Sequence, residues 1–193
     1  DKYLSTTSSG LNMGLPMSNS LQLQLNIKQQ NKSFVQEADK VRDAVRQEVS
    51  LGTQSYIDGG TSILTLTVGG AIEDSIDPEA KAVKQRADIK YSTGYFMLNY
   101  YNQFFGALTF NVNASIRGLL YDVESVTTEF EDNTEVKEKR TDIIGGGALT
   151  LAYTFSTGTS LNLTVNKTIS ESINHPLFTY DKQSVIFMLQ QQF

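Results

Sequence analysis

Leu21-Gln22-Leu23-Gln24-Leu25-Asn26-Ile27-Lys28 alternates apolar and polar residues without a fault. A β-strand sends successive side chains to opposite faces, so this stretch carries one apolar and one polar face. Working outward, the same alternation returns at Leu64, Leu66 and Val68 against Thr65 and Thr67. It returns again at Leu108, Phe110, Val112, Ala114 and Ile116 against Thr109, Asn111, Asn113, Ser115 and Arg117. Leu149, Leu151 and Tyr153 alternate with Thr150 and Ala152, Leu161, Leu163 and Val165 with Asn162, Thr164 and Asn166, and Val185, Phe187 and Leu189 close the series.

Read with this period, the chain gives nine strands, over 8–17, 20–32, 43–57, 61–74, 86–104, 107–124, 138–156, 160–172 and 181–193. Residues 34–48, with Phe34, Ala38, Val41, Val45 and Glu48, also suit a short amphipathic helix ahead of the third strand. The strand over 86–104 is apolar on both faces at Tyr95, Phe96, Met97 and Leu98, which predicts a bulge or a change of register.

Composition narrows the class. At 193 residues one domain, 1–193, is expected. The absence of cysteine excludes disulfide scaffolds and thiolate metal sites. A net charge of -5 without any basic run argues against nucleic acid as a partner, because phosphate neutralisation needs clustered Lys and Arg. Ser, Thr, Asn and Gln make up about a third of the chain, interleaved singly with apolar residues. No window approaches the roughly 18 consecutive apolar residues of a membrane helix. With neither an initiator Met nor a charged-then-apolar leader, the sequence reads as a mature chain or an excised piece.

The connections decide between all-β architectures. Ser18-Asn19-Ser20, Asp58-Gly59-Gly60, Phe105-Gly106 and Thr157-Gly158-Thr159 are short and have turn chemistry. Those over 33–42, 75–85, 125–137 and 173–180 are long and polar, and the two kinds alternate along the entire chain. A soluble sandwich imposes no such order, whereas an outer-membrane barrel has tight periplasmic turns and long external loops. The end of the chain, Val185, Phe187, Leu189 and Phe193, resembles the terminal strand of Gram-negative bacterial outer-membrane β-barrel proteins, although Gln191 stands where many members carry an apolar residue. The resemblance implies a bacterial outer-membrane location with the C-terminus periplasmic and the long loops extracellular. It also implies contact with outer-membrane lipid and lipopolysaccharide, and a final aromatic read by the barrel-assembly machinery.

The expected fold is therefore all-β, an antiparallel up-and-down transmembrane β-barrel of eight or more strands. Hydrocarbon leaves backbone amides unsatisfied unless the sheet closes on itself. About 9–11 residues per strand suffice to cross. The strands over 86–104 and 107–124 exceed this, and their surplus is expected to project on the loop side as an extended hairpin. Tyr91, Tyr95, Tyr121, Tyr153 and Phe155 are candidates for interfacial aromatic girdles. Bacterial single-chain barrels use even strand counts. Nine strands thus point to the C-terminal part of a larger barrel, or to one subunit's share completed by other chains or by a missing N-terminal part. A complete eight-strand barrel is the rival.

The expected inner face includes Gln22, Gln24, Asn26, Lys28, Thr65, Thr67, Asn111, Asn113, Arg117, Thr150, Asn162, Thr164 and Asn166. Amides, hydroxyls and a few cations suit a watered lumen; in an eight-strand barrel they would interlock and leave no pore. Gly145-Gly146-Gly147 allows sharp coiling or the close approach of a plug. Lys167 fits worst, standing on the apolar row, and is expected at a rim or a protein-covered patch.

Catalytic motifs are weak. His175, followed by Pro176 and Leu177, would have to serve any Ser-His-Asp arrangement, and no Gly-x-Ser-x-Gly elbow occurs. The sequence around it also departs from the His-x-Ser pair of outer-membrane lipid A deacylases. No His/Cys metal cluster, phosphate-cradling loop or cofactor motif is present. Glu124, Glu129, Glu131, Asp132 and Glu135 could ligate Ca²⁺, but Lys137, Lys139 and Arg140 follow closely and favour a charge-paired hairpin tip. Asp74, Asp77, Glu79 and Lys81 read the same way. The expected function is a non-enzymatic outer-membrane channel or translocation wall with a polar lumen and long external loops. The alternatives are a small closed barrel acting as an anchor or adhesion module, and a soluble all-β interaction domain.

Overall fold

The computed structural model describes residues 4–35, 43–76, 90–128, 135–156, 158–173 and 178–191. They form one antiparallel sheet of nine strands whose spatial order is their chain order. The strands are β1 (Leu4–Ser18), β2 (Leu21–Phe34), β3 (Ala44–Ile57), β4 (Ser62–Ser75), β5 (Tyr91–Phe104), β6 (Leu108–Thr128), β7 (Glu135–Thr154), β8 (Thr159–Ser172) and β9 (Tyr180–Gln191). This up-and-down meander matches the expected class and strand count. The sheet is not closed: β1 and β9 are its two edges.

Register carries the sequence alternation across the whole sheet. Directly paired residues share a face, so Leu25, Leu51, Val68, Phe96, Ile116, Gly145 and Ile169 form one apolar row. Gln22, Gln54, Thr65, Asn99, Asn113, Ala148, Asn166 and Ser184 form a row on the opposite, polar face. The apolar side chains stand open to the surroundings, with Val68 57% and Val185 64% exposed, whereas nearly all of the buried residues lie on the polar face. There, side chains reach over an intervening strand to meet: Lys32 of β2 contacts Glu73 of β4, and Tyr95 of β5 contacts Glu48 of β3. The polar face is therefore the concave one.

The rows also climb. A row that begins at Leu21, the first residue of β2, arrives at Val185 in the middle of β9. This one-directional stagger is the form that strand tilt takes in a curling sheet. Short turns join the strands at one end. Asp58, Gly59 and Gly60 all have positive φ, as do Phe105 and Gly106, which is the backbone that tight hairpins require.

Several local expectations change. No helix spans 34–48: Ala44 onward is β3, because Val45, Val49 and Leu51 alternate onto the apolar face beside Ile27 and Leu25; residues 36–42 lie outside the described residues. β5 has no bulge, and its double apolarity resolves into Phe96 and Leu98 on one face and Tyr95 and Met97 on the other. The irregularities fall instead between Pro16 and Ser18 in β1 and between Leu120 and Glu124 in β6. The long hairpin is not β5–β6 but β6–β7, with 21 and 20 residues, since pairing resumes at Glu124–Lys139 and continues to Thr128–Glu135. β5 and β6 meet at a short turn, so a surplus on the loop side has to pair with β7.

The aromatic expectation divides as well. Tyr153 and Phe155 stand on the apolar face near the short turns, 4.7 Å apart and edge to face. Tyr100 and Phe110 make a second such pair there. Tyr91, Tyr95 and Tyr121 occupy the polar face, because each lies an even number of residues from Asn99 or Asn113. Lys167 remains on the apolar face, where its ammonium meets Asp181 at 3.1 Å, both side chains more than half exposed. At Gly145 nothing approaches within 4 Å of an added Cβ, and at Gly146 the nearest atom is the Ser115 hydroxyl, so no plug seats on this stretch among the described residues.

Candidate functional site

The nine residues expected to line the interior, Gln22, Gln24, Asn26, Lys28, Asn111, Asn113, Arg117, Asn162 and Asn166, all lie on the polar concave face. They come from β2, β6 and β8 and are placed there by parity along each strand. Their contacts are mostly to the next strand. The Gln24 amide donates to Gln54 Oε1 at 2.5 Å, Asn99 to Asn111 Oδ1 at 3.3 Å, and Asn166 to the Ser184 hydroxyl at 3.3 Å. Thr150 and Thr164 hydroxyls lie 3.1 Å apart. An amide side chain offers two donors and an acceptor with two lone pairs, so single bonds of this kind leave capacity directed into the open concave space.

Toward the long loops the same face changes character. Glu73, only 6% exposed, is the focus of one cluster. Lys32 Nζ donates to both of its carboxylate oxygens at 2.7 Å, and the Tyr91 hydroxyl donates to Oε2 at 2.7 Å. Arg46 donates from Nη1 to the Tyr91 hydroxyl at 3.1 Å and from Nε and Nη2 to Glu48 Oε2 at 3.2 Å. Glu48 in turn accepts from the Tyr95 hydroxyl at 2.6 Å. Each carboxylate is thus met by both a cation and a phenol, the arrangement that makes a low-dielectric ion pair tolerable.

A second cluster lies across β6 to β8. Asp142, 2% exposed, accepts from Arg140 Nε at 2.9 Å on both oxygens and from Nη2. The Arg140 guanidinium stacks 4.5 Å from the Tyr121 ring centroid and 3.6 Å from that of Phe178, in the β8–β9 connection. Tyr91 and Tyr121 pair directly in the ladder, their rings 5.5 Å apart, and this contact joins the two clusters. The result is one belt, Lys32–Glu73–Tyr91–Tyr121–Arg140–Phe178, running from β2 to the far side of the sheet at its long-loop rim.

Sequence reasoning did not pick out this belt. The signal was available, since stepping by two from Lys28 reaches Lys32, from Thr65 reaches Glu73, and from Arg117 reaches Tyr121. These residues sit at strand ends beside charged connections, where their charge reads as loop composition. His175, Phe193, Asp77, Glu79, Lys81, Glu129, Glu131 and Asp132 lie outside the described residues, and among those described no three His, Cys, Asp or Glu side chains gather as a metal site. No described helix is long and apolar enough to cross a membrane.

No family model matches the chain, and no curated protein does. A solved structure, the β-domain of the Bordetella autotransporter BrkA, is similar at 12% identity and a TM-score of 0.40, covering 96% of this chain and 76% of that one. The superposition is loose, so the two faces, and not the neighbour, carry the functional reading.

Proposed function

We propose that this chain is part of the wall of a bacterial outer-membrane β-barrel and serves, without catalysis, as a channel or translocation passage. The observation that carries the reading is the separation of faces. Leu11, Met13 and Leu15 of β1, Leu51, Val68, Phe96 and Ile116 in the middle, and Val185, Phe187 and Leu189 of β9 all stand exposed on one side. Fully burying such a side chain is worth about 1.5–3 kcal/mol, and about half of each remains to be covered. A face composed this way needs an apolar surround, and no second layer covers it among the described residues. Lipid supplies that surround, while the amide-rich concave face keeps water beside it. In this reading the long loops face outside and the C-terminus is periplasmic, an orientation that the alternation of short and long connections supports. In this arrangement lipopolysaccharide borders the loop end, and the barrel-assembly machinery reads the terminal strand. Further strands or other chains complete the circle beyond β1 and β9.

Refolding from urea into phospholipid vesicles tests the proposal. Folding should require lipid or detergent, give a β-type circular dichroism spectrum, and yield stepwise conductance in planar bilayers. A monodisperse, folded protein in plain buffer that does not adsorb to vesicles overturns the membrane reading. Lipid-dependent folding without conductance favours the anchor or adhesion alternative.

A further inference from the structure

The chain carries a net charge of -5, yet among the described residues bases outnumber acids on its concave face. Lys28, Lys32, Arg46, Arg117, Arg140 and Lys182 all lie on this face by register. Against these six stand Glu48, Glu73 and Asp142, with Glu138 one step beyond Arg140 toward the loop. Asp74, Glu171 and Asp181 fall on the apolar side, Asp43 and Asp58 lie just outside strands, and Asp122 lies in the β6 irregularity between Leu120 and Glu124. Among the described residues the concave face therefore carries more bases than acids, while Lys139 and Lys167 stand on the apolar side.

Pairing sharpens the asymmetry. Of the inward acids, Glu73, Glu48 and Asp142 are held by Lys32, Arg46 and Arg140. Among the described residues no acid lies within ion-pair distance of Lys28, Arg117 or Lys182, and all three are exposed. Lys182 has only the Tyr180 ring beneath its ammonium, at 4.7 Å. The three sit on β2, β6 and β9 in three adjacent registered rows, distributed around the concavity. Rings of Arg and Lys favour anions in pores, and a cleft with low-dielectric walls concentrates counter-ions of opposite sign.

We infer that the passage admits anions in preference to cations, with Lys28, Arg117 and Lys182 as the residues that set the preference. This rests on the channel reading above. The test uses the full chain in planar bilayers under a potassium chloride gradient, read as the reversal potential. The chain should give the sign for chloride over potassium, stronger at 0.1 M salt, where the Debye length is about 10 Å, than at 1 M, where it is about 3 Å. Replacing all three with Gln should bring the permeability ratio to one, and replacing them with Glu should reverse the sign of the potential. Lys167→Gln, the same charge change on the apolar face, should leave the ratio as it was. All variants should keep lipid-dependent folding, because the three cations are exposed and Glu48, opposite Lys28 in the ladder, keeps its bonds from Arg46 and Tyr95. Conductance that prefers potassium, shows no preference, or does not respond to the Glu variant overturns the inference and leaves the channel standing. A lipid-inserted chain without conductance overturns both.

Discussion

At the residue scale the most consequential side chain is the Glu73 carboxylate. Removing it as Glu73→Ala leaves Lys32, Arg46 and the Tyr91 hydroxyl converging on an empty, water-poor position. Deleting one partner of a buried pair costs about 3–5 kcal/mol, most of it from the charge left behind. Equilibrium urea unfolding in vesicles should show that loss. The double replacement Glu73→Leu with Lys32→Met should recover much of it, because no unpaired charge on Lys32 remains. The exposed Lys167–Asp181 pair behaves differently: Asp181→Asn should change stability by less than about 1 kcal/mol. The difference between these sites was illegible in the sequence. Lys32 and Glu73 are 41 positions apart and belong to strands that are not neighbours, so only register reveals them as partners.

At the scale of the strand, glycines report which face is crowded. A Cβ on Gly69 would lie 2.5 Å from the Tyr95 ring and 2.8 Å from Ser50 Cβ, on the concave side. At Gly118, on the apolar side, nothing approaches within 4 Å. Gly69→Ala should therefore destabilise by about 1–3 kcal/mol through overpacking, while Gly118→Ala should be neutral or stabilise by up to about 1 kcal/mol by restricting the unfolded chain. Thermal melts of the two variants in one detergent check the contrast. Strand existence was legible because eight residues in faultless alternation leave little choice of period. The ends were less so. Residues 44–48 satisfy helical and strand spacing alike, and pairing with β2, absent from any local window, decides for the strand. The β6–β7 extension was hidden because its charged residues resemble a loop until they are seen opposite one another.

For the whole molecule, the two faces predict opposite tolerance to charge. Val68→Arg places a guanidinium on the apolar side and should cost about 2–4 kcal/mol if it lies near the bilayer midplane. Thr67→Arg, its immediate neighbour on the concave side, should cost far less. Unfolding free energies measured in lipid vesicles should separate the two, and equal costs would contradict a membrane-facing surface. This division was the most legible feature of the sequence, since parity along each strand assigns every residue once one is placed. What parity withheld was the belt, whose members had to be joined sideways across the strand pairings from β2 to β7 and on to Phe178.

The ribbon's two free margins share a heading. β1 descends from the loop end to the turn end, and so does β9, because an even number of reversals separates them. Any circle made by repeating this unit must then contain one same-direction seam per copy. A circle with every neighbour opposed requires an odd number of ascending and descending segments to be inserted between the margins, beginning and ending with an ascending one.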